Sequence, residues 1–115
     1  MKNLPFILFC IVVFFFLKKR FFDSNDYKGM LDEGGVIIDV RSSGEFYSGH
    51  IENSINIPLA ELSSKIDSIK DKNQPIITCC ASGIRSAAAS KVFLAKGYTN
   101  VVNGGGWSSL QKKIN

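Results

Sequence analysis

Apolar positions fall along this chain in different rhythms, and each rhythm predicts a different element. Leu4 to Leu17 is one run of fourteen residues without a charge, interrupted only by Pro5. V-I-I-D-V at 36–40 and I-I-T-C-C at 76–80 are short β-branched clusters between turn-forming residues, which predicts two buried strands. Leu59, Leu62, Ile66 and Ile69 recur every three or four positions, the spacing of one amphipathic helix. Ile84 to Lys96 is alanine-rich, carries Val92, Phe93 and Leu94, and meets Gly97, which predicts a second helix with a glycine stop.

Shorter signals fill the intervals. Ser24-Asn25-Asp26 offers capping side chains ahead of Tyr27, Met30 and Leu31, a short helix closed by Gly34-Gly35. Glu45 to Ser48 reads as a helical turn ending at Gly49, and Ile55-Asn56-Ile57 as a short extended piece stopped by Pro58. Tyr98 to Val102 is expected as a further strand, and Asn103-Gly104-Gly105-Gly106 as a turn into a last helix with Trp107 and Leu110. Strands thus alternate with helices, and the connections are too short for a second domain. The expectation for residues 23–115 is one α/β domain: a single small open parallel sheet with helices on both faces and ligands beyond the carboxyl ends of the strands.

Residues 1–22 stand apart as a hydrophobic helix ahead of that domain. At about 1.5 Å per residue the apolar run covers roughly 21 Å, short of a roughly 30 Å hydrocarbon core. Lys18, Lys19 and Arg20 can snorkel and bring Phe21 and Phe22 to the interface, and no A-x-A-like cleavage site follows. The segment therefore reads as a membrane anchor, with a cleaved signal peptide as the alternative. More cations lie after the run than before it, which places the domain in the cytoplasm; cleavage would place it in the periplasm.

Charge and cysteine content narrow the function. The net charge is +4, but four of the fourteen cations lie in the first twenty residues and all ten acids lie beyond them. The domain is therefore neutral, and nucleic-acid binding loses its electrostatic basis. Three cysteines, Cys10 in the apolar run and Cys79 and Cys80 side by side, give no disulfide framework and suit a reducing compartment.

The segment Cys80-Ala81-Ser82-Gly83-Ile84-Arg85-Ser86 is where chemistry is expected. A strand ends, small residues turn, and a helix begins, so backbone N–H groups without intrahelical partners point into the turn and form an anion cradle. A cysteine at its base is favoured as thiolate and needs no histidine partner. The same amides suit an anionic substrate or the outer sulfur of a cysteine persulfide. No metal or organic cofactor is called for.

C-A-S-G-I-R-S resembles the active-site loop of the rhodanese (sulfurtransferase) family. I-I-D-V-R at 37–41, E-F-Y-S-G-H-I-E-N-S-I-N-I-P at 45–58 and V-V-N-G-G-G-W at 101–107 are similar to further family segments, in the same order. The resemblance implies the open parallel-sheet fold and a Cys80 that takes sulfane sulfur from thiosulfate or a persulfide donor. It implies a Cys80 persulfide that passes the sulfur to cyanide or a thiol. Ala81, Ser82, Gly83, Ile84, Arg85 and Ser86 then line the substrate site, with Asp39 and Arg41 in support. Ala81 stands where the family often has arginine, so a cation that would attract thiosulfate is missing there.

Other readings of the same residues are bounded. Counted from Cys79, the spacing to Arg85 is that of the Cys-x5-Arg loop of cysteine phosphatases, which opens phosphatase or arsenate reductase chemistry; the glycine, however, is in register with Cys80. Strand alternation turns Cys79 to the opposite face from Cys80, a core position. Arg85 is expected to anchor the loop by pairing with an acid such as Asp39, to contact an anion, or both. His50 reads as part of a structural turn, and Trp107 as a core or rim aromatic. A binding module at the membrane without turnover is the alternative to an enzyme.

Overall fold

A computed structural model describes residues 26–115 of the chain. Asp26 caps the first helix, α1 (Tyr27–Asp32), its carboxylate accepting the Gly29 N–H at 3.2 Å. Strand β1 (Val36–Asp39) leads to α2 (Ser43–Ser48) and a two-residue β2 (Ile55–Asn56). A helical stretch from Leu59 to Ser68 follows, whose only α-helical part is α3 (Leu62–Lys65). Then come β3 (Ile76–Cys80), α4 (Ile84–Ala95), β4 (Val101–Gly106) and α5 (Trp107–Ile114). The four strands form one parallel sheet in the order β2-β1-β3-β4.

Period-two alternation along β1 and β3 builds a core on each face. Ile38, Val40, Ile76 and Cys80 pack with Leu62, Ile66, Ala89, Phe93 and Tyr98, whereas Ile37, Ile77 and Cys79 pack with Tyr27, Ile51 and Leu110. Helices therefore cover both faces, as the apolar clusters at 36–40 and 76–80 predict. The ends of β1 and β3 lie in register, Asp39 opposite Cys79, so the residues after both strands emerge at the same edge.

Two expectations are corrected. Residues 59–69 are not one continuous α-helix, although Leu59, Leu62, Ile66 and Ile69 keep the three- and four-residue spacing expected of one. The stretch is built of a 3-10 turn at Leu59–Glu61, one α turn at Leu62–Lys65, and a 3-10 turn at Ile66–Ser68. Ser64 and Ser68 hydroxyls return to the carbonyls of Glu61 and Lys65 at 2.9 and 2.7 Å, which weakens a regular helix further. The last strand also starts later than Tyr98 and runs through the glycines expected as a turn. Tyr98 is instead spent on closing α4. Its N–H bonds the Phe93 carbonyl while Gly97 N–H bonds that of Leu94, a Schellman arrangement, and the two rings meet edge to face with centroids 5.2 Å apart.

The hydrophobic segment 1–22, expected as an N-terminal helix and membrane anchor, lies outside the described residues. Among the described residues no helix is long and apolar enough to cross a membrane.

Candidate active site

Cys80 closes β3, and three residues later Gly83 opens α4 with a φ of +102°, a conformation that side chains resist. The turn this permits brings the Gly83 N–H to 3.0 Å from Cys80 Sγ, with Ser86 Oγ at 3.4 Å. Gly106 of β4 lies against the outer wall of the loop, where a Cβ would stand 2.8 Å from the Ala81 carbonyl oxygen. Burial alone would push the Cys80 thiol up. Once ionised, the sulfur can accept from the Ser86 hydroxyl and from the N–H groups of Ser86, Gly83 and Ser82, which outweighs burial and holds the thiol down to about 7, from an ordinary 9.0. The backbone N–H groups at 82, 83 and 86 are thus directed at the Cys80 sulfur. Ala81, Ser82 and Ile84 face outward, Gly83 and Arg85 are half-buried, and Ser86 is buried beneath the loop.

A frame of two arginines and two acids holds this edge. Arg41 and Asp39 are both buried, the guanidinium bonding the carboxylate through Nε at 3.0 Å and Nη2 at 2.7 Å. Arg41 also donates to the Gly49 and Glu45 carbonyls at 2.7 and 3.2 Å, which ties the end of β1 to α2. Asp39 is therefore occupied, and Arg85 does not pair with it. Arg85 pairs instead with Glu45, Nη1 to Oε1 at 2.8 Å and Nη2 to Oε2 at 3.0 Å. Arg85 beside it, together with Ser42, holds the Glu45 carboxyl at about 2. The pair joins α2 to α4 across the mouth of the loop and is partly exposed, so its contribution is geometry more than stability.

Cys79 lies on the opposite face, fully buried, with its thiol pushed up to about 12 first by burial and then by Asp39. It lies away from the Gly83 turn that faces Cys80. His50 stacks on Phe46 with centroids 3.8 Å apart, and its Nδ1 lies 2.8 Å from the Phe46 carbonyl oxygen, a structural position. The Trp107 ring lies under the Arg41 guanidinium, 4.8 Å from Cζ to the centroid, and Gly49 packs beside it.

Two residues of the site were not singled out in the sequence. Glu45 was, in principle, legible: Ser42 and Glu45 form a capping box with both reciprocal bonds present, and the S-x-x-E spacing announces it. Asn103 carries only a turn signal in the sequence. It bonds Ser86 Oγ at 2.6 Å, the Gly105 N–H at 2.9 Å and the Gly83 carbonyl at 3.1 Å, and so fastens β4 to the cradle. Its bond to Gly105 is local, but no local pattern marks its role in the site, because Ser86 and Gly83 come from another part of the chain.

Comparison with known proteins agrees with this geometry. The family model of the rhodanese-like domain matches residues 23–113. The thiosulfate sulfurtransferase PspE of Escherichia coli is 37% identical over 74 residues, 64% of this chain and 71% of that protein. A solved E. coli rhodanese with anions is also 37% identical, with a TM-score of 0.59 over 64% of this chain and 88% of that one. Reduced Bacillus anthracis CoADR-RHD is 32% identical with a TM-score of 0.65; the match covers 79% of this chain but only 16% of that longer protein. With its four-stranded parallel sheet, helices on both faces and sulfurtransferase relatives, the chain belongs to the rhodanese-like domain family.

Proposed function

We propose that the protein is a rhodanese-type sulfurtransferase that works through a persulfide on Cys80. The observation that carries this reading is the Cys80 sulfur held 3.0 Å from the Gly83 N–H at the start of α4, in surroundings that bring its thiol to about 7. Near neutral pH a large share of it is then thiolate. The thiolate attacks the sulfane sulfur of a persulfide or of thiosulfate. An S–S bond to Cys80 forms as the donor's bond breaks, and the electron pair leaves with the donor thiolate or with sulfite. A thiol or cyanide then attacks the outer sulfur and Cys80 leaves as thiolate, so no external oxidant or reductant is needed. The backbone of Ala81, Ser82, Gly83, Ile84, Arg85 and Ser86 receives the anionic sulfur, while Asp39 and Arg41 keep the adjoining strand end in place.

The test is sulfur transfer to cyanide from thiosulfate and from a small-molecule persulfide. Cys80→Ser abolishes transfer and Cys79→Ser leaves most of it; equal loss in both contradicts the assignment. Absence of transfer with every donor favours the binding-module reading instead.

We also infer that residues 1–22 anchor the domain to a membrane with the domain on the cytoplasmic side, on the strength of the apolar run and its cationic flank. A reporter active in only one compartment, fused after Asn115, decides this. Activity on the cytoplasmic side is expected, and activity on the far side would mean translocation.

A further inference from the structure

The Asn103 side chain has only one possible orientation, because two of its partners are backbone groups of fixed sense. Its Oδ1 accepts the Gly105 N–H at 2.9 Å and its Nδ2 donates to the Gly83 carbonyl at 3.1 Å. Ser86 Oγ lies 2.6 Å from that same Oδ1, an atom that only accepts, so the single proton of the Ser86 hydroxyl points at Asn103. Cys80 Sγ, 3.4 Å away, then faces the lone pairs of a hydroxyl already committed elsewhere. A neutral thiol suits that face, since S–H donates to Ser86 and Ser86 donates to Asn103. A thiolate does not: to be stabilised by Ser86 it must draw the proton off Asn103, leaving Oδ1 with the Gly105 N–H alone.

We propose that Asn103 is a positioning residue that draws the Ser86 proton away from Cys80 and thereby sets how readily Cys80 becomes the attacking thiolate. The charged and titratable groups around Cys80 are Arg85 on α4 with its partner Glu45 on α2, the Asp39–Arg41 pair at the end of β1, and the Cys79 thiol on the far face. None of them is hydrogen-bonded to Asn103 among the described residues, so substituting it leaves them in place. The proposal makes a prediction opposite in sign to a bracing role. If Asn103 only steadied the loop through Gly83, its removal would loosen the cradle and make the thiolate harder to form. If it withholds a proton, its removal frees Ser86 to serve the thiolate, and the thiolate forms more easily.

The inference rests on Cys80 being the nucleophile, but its test needs no sulfur donor. In the full chain carrying Cys79→Ser, iodoacetamide alkylation is followed against pH on the peptide that holds Cys80. Asn103→Ala, and the nearly isosteric Asn103→Leu as a second variant, should lower the midpoint by about half a unit, roughly three-fold more thiolate on the acid side. The same substitutions made on a Ser86→Ala background should show no downward shift, since the effect passes through that hydroxyl. A rise, no change, a fall that survives Ser86→Ala, or loss of the native fold in both variants would overturn the proposal. If alkylation shifts as stated but no persulfide ever forms, the reading of function fails and this one stands; the reverse result rejects only the role of Asn103.

Discussion

Gly83→Ala joins fold and chemistry in one atom. At φ +102° an alanine carries the penalty of the left-handed side of backbone space, about 1–2 kcal/mol. Its Cβ would also stand 3.3 Å from the Gly105 Cα, a backbone atom that yields only by shifting the bulged end of β4. A total near 2 kcal/mol corresponds to a fall in Tm of roughly 10 °C for a domain of this size. The same shift moves the Gly83 N–H off Cys80 Sγ, and loss of one hydrogen bond to a charged sulfur raises the thiol by about one unit. Circular dichroism on heating and the pH profile of Cys80 alkylation measure the two effects. Gly44→Ala is the control, since nothing lies within 4 Å of a Cβ there and α2 gains a better helix former. Equal Tm for the two variants, or a Gly83→Ala protein with an unchanged Cys80 midpoint, would refute the link between this turn and the cradle.

Three further outcomes follow from paired and buried polar groups of the domain. Arg41→Met leaves the fully buried Asp39 carboxylate without its partner and should cost about 3–5 kcal/mol in chemical unfolding, with Asp39→Asn in the same chain recovering part of it. Glu45→Gln should be less stable than the native chain above pH 4.5. The folded carboxyl lies at about 2, below its ordinary 4.5, so the native advantage is complete above 4.5 and disappears as pH falls through about 2. Acid-unfolding curves of the two chains should therefore converge at the acid end. Tyr98→Phe removes the hydroxyl that donates to the Ile66 and Ile69 carbonyls, and a loss of about 1–3 kcal/mol in thermal or urea unfolding is expected without change in Cys80 reactivity.

The sequence was most readable where one local rule acted alone. The β-branched clusters at 36–40 and 76–80 found both central strands, and the change of face between Cys79 and Cys80 followed from the pleat. Rules in competition were harder to resolve. Tyr98 has strand character, but the closure of α4 claims it first, so β4 begins only at Val101. The glycines at 104–106 look like a turn because they lack side chains. They form a strand because Gly104 leaves no room for a Cβ, which would come within 2.7 Å of Ile77 Cγ2, and Gly106 admits the Ala81 carbonyl. Arg85 pairs with an acid as expected, but with Glu45 rather than Asp39, and for a different reason. Asp39 is close in space but saturated by Arg41, and only the three-dimensional arrangement shows that Glu45, forty residues away, is free to take the guanidinium. Asn103 is in the same position, its importance resting on its contacts with Ser86 of α4 and with the Gly83 carbonyl at the start of that helix.

The central claim is that the sulfur carried by this protein rides on the second of the two adjacent thiols. Exposing the native chain to a persulfide donor, digesting it without reductant and locating the added sulfur by fragment mass spectrometry tests this directly. The account predicts one extra sulfur atom on Cys80 and none on Cys79; an extra sulfur on Cys79, or none on either residue with any donor, would contradict it.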